Sequence, residues 1–170
     1  GKTIFKVKNR KCNGCENFNN QSKKFPQIEN TNKKLFSEET AYQMVSMLSG
    51  AVERGTAKKL KSLNVPIAGK TGTTNDNFDA WFIGFSSNLV VGVYVGFDSP
   101  KTLGKYETGS KAALPVFKNF IENALYKEDF TDFKIPENIF LTSLNYDSGL
   151  KSHTGDKNII IEALKSKDIN

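Results

Sequence analysis

The clearest periodic pattern in the chain is that of an amphipathic helix over residues 37–54. Apolar residues recur there three and four positions apart, which places them on one face of a helix: Ala41, Met44, Val45, Leu48 and Val52. Ser37 is a favourable N-cap residue, and Glu38 and Glu39 put negative charge at the positive end of the helix dipole. The pattern therefore predicts a surface helix with one buried face.

Residues 65–98 show a strand pattern instead. Three β-branched and aromatic runs, at 65–74, 79–86 and 89–98, are separated by the turn-forming sequences Asn75-Asp76-Asn77 and Ser86-Ser87-Asn88. Short turns between consecutive strands predict an antiparallel meander. Glycines within these strands, at 84, 92 and 96, indicate that a large group packs closely against them.

The remaining segments have weaker patterns. We predict a strand at 3–10 and a second helix at 110–126, whose apolar face carries Leu114, Phe117 and Ile121. Residues 12–34 are polar and predict a loop or insertion, and residues 141–170 predict a C-terminal tail with a short strand at 159–161. Together the elements predict an α+β fold, an antiparallel sheet with flanking helices, in a domain over residues 1–140.

Composition and charge exclude several functional classes. The chain has 24 Lys and Arg against 18 Asp and Glu, but only Arg10 and Arg54 are arginines, which disfavours nucleic-acid recognition. The longest apolar run, residues 89–97, is far shorter than the roughly 20 residues of a bilayer span, so neither a membrane segment nor a targeting signal is predicted. With His153 as the one histidine, we expect no metal site and no cofactor.

The segment Gly69-Lys70-Thr71-Gly72-Thr73-Thr74 carries the densest chemistry. A phosphate-binding P-loop would need glycine at position 64, where the chain has Asn64, and a helix rather than a strand afterwards. Two interpretations remain from the residues alone. The segment is either a solvated strand end or an anion cradle, in which Lys70 and the hydroxyls of Thr71 and Thr73 hold a carboxylate. Gly72 would let another backbone approach closely.

The sequence around this segment resembles the penicillin-binding transpeptidases, most closely their class A, bifunctional members. Residues 69–84 are similar to the family's lysine-threonine-glycine box and the strand that follows it, and residues 90–98 are similar to the next strand. Residues 41–56 resemble the helix before the box, and residues 108–115 resemble the start of the helix after it. The similarity runs from about residue 3 to residue 140. It implies that the chain is the C-terminal part of a transpeptidase domain with a partial penicillin-binding, serine β-lactamase-like fold.

The resemblance also implies a chemistry. In the family, a serine attacks the carbonyl group of a D-alanyl-D-alanine stem peptide of peptidoglycan, and β-lactams acylate the same serine. Lys70 and the backbone N–H of Thr73, an oxyanion-hole donor, would be catalytic. Substrate-binding residues would be Lys70, Thr71, Gly72, Thr73 and Thr74. The complete protein would work on the periplasmic face of the bacterial inner membrane, together with the N-terminal part of the transpeptidase.

The family's serine nucleophile does not precede the box in this sequence. No Ser-x-x-Lys motif lies before Lys70, and we attribute three similar patterns after it to chance: Ser148-x-x-Lys151, Ser86-x-Asn88 and His153-Thr154-Gly155. We therefore expect a fragment that is inactive alone and exposes apolar surface that the absent part would cover. The alternative, from another class, is a non-catalytic peptide- or cell-wall-binding module.

Cys12 and Cys15 form an isolated Cys-x-x-Cys pair. A zinc site would need a second pair, and a thioredoxin-type site would need a βαβ context. Three alternatives stay open: a Cys12–Cys15 disulfide, two free thiols, or a metal shared between two copies. A disulfide would require an oxidising compartment.

Overall fold

The structure, a computed structural model, describes residues 10–13, 27–30, 34–124, 126 and 129–168. They belong to two units, residues 1–37 and residues 38–170. In the first unit, β1 (Arg10–Asn13) pairs antiparallel with β2 (Gln27–Asn30). The segment predicted as a polar loop thus contains the strand β2. The sequence did not predict this strand because three of its four residues are polar. Residues 3–9 of the predicted first strand lie outside the described residues.

The second unit contains the predicted helices and meander. The elements in chain order are α1 (Glu38–Glu53), a 3₁₀ turn (Lys58–Leu63), β3 (Ala68–Thr73), β4 (Asp79–Phe85), β5 (Val90–Gly96), α2 (Ala113–Ala124), β6 (Ile139–Asn145) and β7 (Ile159–Lys165). Strands β3, β4 and β5 form an antiparallel sheet in that order. The three-strand meander is confirmed, and both helices lie within the predicted ranges.

The hydrophobic core lies on one face of this sheet. Alternate residues of β4 are buried there, and the Phe82 ring meets the Phe117 ring of α2 edge-on, with centroids 4.8 Å apart. A Cβ atom at Gly84 would lie 2.5 Å from Cζ of Phe117, so residue 84 must be glycine. Phe117 is the large group that the sequence predicted to pack against this glycine. Other core residues come from α1, from the 3₁₀ turn and the residue before it, and from α2: Val52, Ala57, Leu60, Leu63, Leu114 and Ile121.

The opposite face of the sheet is largely open. Trp81, Ile83 and Tyr94 are 41%, 50% and 48% exposed there, although all three are large and apolar in their bulk. Lys70 and Gly72 stand on the same face, because they pair in register with Ile83 and Trp81. The candidate site therefore lies beside an exposed aromatic surface.

The C-terminal segment, predicted as a tail with one short strand, contains a two-stranded hairpin. Strands β6 and β7 pair antiparallel from Ile139 opposite Lys165 to Asn145 opposite Ile159, so the predicted domain boundary at residue 140 falls inside β6. The strand expected at 159–161 is present but extends to Lys165. The sequence did not predict this pairing because the connection between the two strands is much longer than the short turns that indicate a hairpin.

This hairpin packs against α1 through polar contacts. Arg54 forms an ion pair with Glu162, the Gln43 amide donates to the carbonyl oxygen of Ala163 at 3.3 Å, and Lys165 donates to Thr40 at 2.9 Å. The predicted apolar face of α1 is accordingly only partly correct. Val52 is buried, but Ala41 and Met44 are exposed, because the hairpin occupies a more polar side of the helix.

Candidate active site

The candidate site is the end of β3, where the strand emerges from the core. Ala68 and Gly69 are buried, Lys70 is exposed, and the residues up to Thr73 are partly or fully exposed. Among the strands that the structure describes, β3 is also the last one of its sheet, with β4 on one side. The lysine-threonine-glycine sequence therefore occupies a sheet edge that solvent reaches.

Lys70 and two threonines cluster at this edge. The Lys70 ammonium donates to the carbonyl oxygen of Thr71 at 3.0 Å, and its nitrogen lies 3.4 Å from Oγ1 of Thr71. Oγ1 of Thr71 in turn lies 3.0 Å from Oγ1 of Thr56. Thr56, from the loop after α1, is a component that the sequence did not single out. Because its partner is distant in sequence, no local pattern could have shown it.

The hydrogen-bonding pattern between β3 and β4 determines which backbone N–H and C=O groups of β3 are not bonded to β4. The Thr74 N–H donates to the carbonyl oxygen of Asp79 at 3.1 Å, so Thr74 and Asp79 form a hydrogen-bonded pair. Antiparallel ladders alternate bonded and non-bonded pairs, which makes Gly72 and Lys70 the next residues bonded to β4. The N–H and C=O groups of Thr71 and Thr73 therefore point to the free edge of β3.

The side chain of Thr73 is held by a hydrogen bond from the backbone of a residue that is distant in sequence. The N–H of Gly109 donates to Oγ1 of Thr73 at 3.0 Å. This uses one lone pair of the hydroxyl and leaves its own proton available for a ligand. A Cβ atom at Gly109 would lie 2.5 Å from the carbonyl oxygen of Gly72, so Gly109 must be glycine for the two segments to touch. A Cβ atom at Gly72 would instead lie 3.2 Å from Cβ of Trp81, so the missing side chain of Gly109, and not that of Gly72, permits this contact.

Thr74 has a different position from its neighbours. Its hydroxyl oxygen accepts a hydrogen bond from the Asp79 N–H at 2.8 Å and closes the turn between β3 and β4. Asp76 and Asn77 in this turn have positive φ angles of 56° and 54°, which is unusual for residues other than glycine. The Asn77 amide donates to the carbonyl oxygens of Gly104 and Lys105 at 3.0 and 2.9 Å. The turn thus holds the loop that follows β5.

An aromatic pair lies next to the site on the open face. The Trp81 and Tyr94 rings have centroids 4.8 Å apart, and the Tyr94 hydroxyl donates to Asp79 at 2.9 Å. This hydrogen bond raises the pKa of Tyr94 above its usual value, with desolvation and the charges of Asp79 and Asp98 adding to the effect. Asp79 therefore connects the aromatic pair to the end of the β3–β4 turn.

The three patterns attributed to chance lie in turns. Ser86 and Asn88 are in the β4–β5 turn, where Oγ of Ser86 donates to Asn88 at 2.7 Å. Ser148 is in the connection between β6 and β7, where its hydroxyl accepts from the Leu150 N–H at 3.3 Å, and His153 belongs to the same connection. None of the three therefore has the strand or helix context of the family's motif.

Two further predictions concern parts of the chain with limited description. Cys15 and the side chain of Cys12 lie outside the described residues, so the cysteine alternatives stay predictions. Within the described ranges, no three His, Cys, Asp or Glu side chains are grouped as a metal site. No helix in those ranges is both long enough and apolar enough to cross a membrane.

Comparison with known proteins gives consistent matches. Residues 17–122 match the model of the penicillin-binding protein transpeptidase domain. Penicillin-binding protein 1A of Rickettsia felis is 39% identical over 172 residues, which cover 99% of this chain and 21% of that protein. The protein of the same name from Pseudomonas aeruginosa is 36% identical over 137 residues, covering 80% and 17% respectively. The chain thus spans about a fifth of the length of these relatives.

A solved structure has the same architecture. The crystal structure of penicillin-binding protein 1A from Haemophilus influenzae matches with a TM-score of 0.68 and 30% sequence identity, covering 78% of this chain and 21% of that one. This match confirms the predicted α+β class, with antiparallel sheets and flanking helices.

Proposed function

This chain belongs to the penicillin-binding protein transpeptidase family, and on that premise we propose that its β3 edge binds the terminal carboxylate of a D-alanyl-D-alanine peptide. The reaction served would be the serine-type D,D-transpeptidation that cross-links peptidoglycan. The observation that carries the proposal is the orientation of Thr73: its backbone N–H points to the free edge of β3, next to the Lys70 and Thr71 cluster.

Each residue of the edge then has a role. The Lys70 ammonium and the hydroxyls of Thr71 and Thr73 would donate to the carboxylate, and charge-assisted hydrogen bonds of this kind are the stronger ones. The Thr73 N–H would donate to the oxyanion that forms at the attacked carbonyl group. Gly72 would contribute through its backbone, against which Gly109 packs. Thr74 would contribute through the turn, because its hydroxyl is already bonded to the Asp79 N–H.

The peptide would bind as an added strand. The outward N–H groups of Thr71 and Thr73 and the C=O group of Thr73 offer the donors and the acceptor that an extended peptide needs to pair with a sheet edge, while the C=O group of Thr71 accepts from the Lys70 ammonium. β-Lactams would occupy the same place as mimics of the donor peptide. The periplasmic face of the inner membrane, where peptidoglycan is cross-linked, is the proposed location.

The nucleophile would come from sequence other than these 170 residues. No Ser-x-x-Lys motif precedes Lys70, and Ser148 is followed by Lys151 in a turn. We propose that an N-terminal part of the transpeptidase supplies this serine and completes the site. The chain would then provide the carboxylate- and oxyanion-binding half of a shared active site.

The proposal can be tested by residue-resolved NMR titration of the 170-residue chain. A peptide ending in D-Ala-D-Ala should shift the amide signals of Lys70 to Thr73, and its C-terminal amide should bind at least about fivefold more weakly, since a charge-assisted contact is lost. The variants Lys70→Met and Thr73→Val should each weaken binding of the carboxylate form. Thr142→Val, on β6, is the matched control and should leave binding unchanged.

Equal binding of the acid and the amide would contradict the proposal. So would an unchanged affinity in Lys70→Met, provided that its amide spectrum shows the wild-type fold.

A further inference from the structure

Thr56 contacts the candidate site from the loop between α1 and the 3₁₀ turn. Its hydroxyl oxygen lies 3.0 Å from Oγ1 of Thr71, and either of the two hydroxyl groups could be the donor in this hydrogen bond. The Thr56 side chain is exposed, so packing in the core does not require a hydroxyl group at this position. The contact with Thr71 is therefore the feature of Thr56 that needs an explanation.

The loop that carries Thr56 is fixed to the end of α1. The next residue, Ala57, is fully buried, and its N–H donates to the carbonyl oxygen of Ala51 at 2.9 Å. A Cβ atom at Gly55 would lie 2.8 Å from Cα of Ala51, so residue 55 must be glycine for the chain to pass this close to the helix. Because the residues on both sides of Thr56 are held against α1, its hydroxyl group has a defined position beside β3.

The donors around Oγ1 of Thr71 determine where the proton of this hydroxyl group can go. A hydroxyl group has one proton and two lone pairs. The Lys70 ammonium, 3.4 Å from Oγ1 of Thr71, has donors only, so the oxygen can only accept from it. If Thr56 also donates to this oxygen, both lone pairs are occupied and the Thr71 proton is free for a third partner. If Thr71 donates to Thr56 instead, its proton is used within the protein.

A carboxylate ligand selects the first of these two arrangements. An ionised carboxylate only accepts hydrogen bonds, so Thr71 must donate its proton to bind it. Thr56 then donates to Thr71, and the two hydroxyl groups form a directed chain that ends at the ligand. Each hydrogen bond in such a chain polarises the next one, which strengthens the bond to the carboxylate.

We propose that Thr56 is a positioning residue, which directs the Thr71 hydroxyl proton toward the bound carboxylate without touching the ligand itself. The proposal rests on the proposed function, because the terminal carboxylate of the peptide is the ligand that Lys70 and Thr71 receive there. It extends the site from β3 to the loop after α1.

The first test is NMR titration of Thr56→Val with the peptide that ends in D-Ala-D-Ala. Valine keeps the volume of the side chain but lacks the hydroxyl group, and it should weaken binding about twofold to tenfold, as for one lost hydrogen bond. The C-terminal amide of the peptide should lose less affinity, because a hydrogen bond to an uncharged acceptor is weaker. The ratio of the acid and amide affinities should therefore fall.

Two single variants accompany this measurement. Thr56→Ser keeps the hydroxyl group and should restore wild-type binding. Thr154→Val removes the hydroxyl group of an exposed threonine in the connection between β6 and β7, and it should leave binding unchanged. The amide spectrum of each variant must show the wild-type fold.

The double variant Thr56→Val/Thr71→Val separates positioning from direct contact with the ligand. Because Thr56 acts through the Thr71 hydroxyl, the double variant should bind the acid no more weakly than Thr71→Val alone. If the losses of the two single variants multiply in the double variant, Thr56 acts independently of Thr71 and the positioning role is refuted.

The remaining outcomes separate this inference from the proposed function. If the wild-type chain prefers the acid and Thr56→Val binds it with wild-type affinity, the positioning role is refuted and the proposed function stands. If Thr56→Ser binds as weakly as Thr56→Val, the hydroxyl group is not responsible, and the role is refuted as well. If the wild-type chain binds the acid and the amide equally, both proposals fail.

Discussion

At the scale of single residues, the site depends on groups that hold other groups in place. Gly109 orients the Thr73 hydroxyl, Thr74 closes the turn, and Asp79 accepts from both the Thr74 N–H and the Tyr94 hydroxyl. In the sequence, Lys70, Thr71 and Thr73 are recognisable because their chemistry is concentrated in one segment. Gly109 and Thr56 are not, because each acts across a contact between distant parts of the chain.

The hydrogen bond from Tyr94 to Asp79 predicts a pH dependence of stability. Because the folded pKa of Tyr94 is raised above the unfolded value of about 10, the stabilisation is fully present below pH 10 and is lost as the pH rises through the folded pKa. Urea unfolding should show Tyr94→Phe less stable than the wild type by a constant amount between pH 7 and pH 9. The difference should shrink above pH 10.

The control for this measurement is Tyr146→Phe, an exposed tyrosine of the hairpin. Its difference from the wild type should not change with pH over the same range. A Tyr94→Phe difference that persists undiminished at pH 11 would show that the hydrogen bond does not favour the protonated hydroxyl.

At the scale of elements, the packing of α2 on the sheet fixes the strands that carry the site. Phe117 fills the space that Gly84 leaves open, and both Phe82 and Phe117 are essentially inaccessible to solvent. The rings meet edge-on, which is a favourable aromatic geometry. The position of β4, and through it that of β3, depends on this contact.

We expect Phe117→Ala to lower the free energy of unfolding by about 3–5 kcal/mol, as for other buried aromatic truncations. Phe120, on the same helix, is 42% exposed, so Phe120→Ala is the matched control and should lower the free energy of unfolding by about 1 kcal/mol or less. Chemical unfolding of both variants measures the difference. Similar losses in the two variants would mean that α2 does not pack through Phe117.

The elements also show why parts of the fold could be predicted and others could not. The meander β3–β4–β5 was predictable because its strands are apolar and its turns are short. The hairpins β1–β2 and β6–β7 were not, since β2 has a polar sequence and a long connection separates β6 from β7. The exposed side of α1 was misjudged because its neighbour is this second hairpin, which a helical pattern cannot reveal.

At the scale of the whole molecule, the proposed site would be half of a reaction centre. The residues proposed to bind carboxylate and oxyanion lie on β3, and the serine patterns in the chain lie in turns elsewhere. The open face beside the site, with Trp81, Ile83 and Tyr94, is a surface of the kind that further protein covers. Binding and acylation should therefore be separable in this chain.

We accordingly expect no covalent adduct when the 170-residue chain is incubated with a fluorescent penicillin. Gel fluorescence and intact mass measure the adduct, and a penicillin-binding enzyme that contains Ser-x-x-Lys is the positive control. Adduct formation that disappears in Ser148→Ala would assign the nucleophile to the hairpin and overturn the proposal of a shared site. Peptide binding without any adduct is also what a non-catalytic binding module would show. Acylation restored by adding the N-terminal part would distinguish the two.

The free edge of β3 has a consequence for solution behaviour. A strand edge with open N–H and C=O groups pairs with any extended backbone, including the same edge of a second molecule. Self-association and peptide binding would then compete for the outward N–H of Thr71 and the outward N–H and C=O groups of Thr73. The apparent affinity for peptide should fall as the protein concentration rises, and saturating peptide should shift the chain toward the monomer.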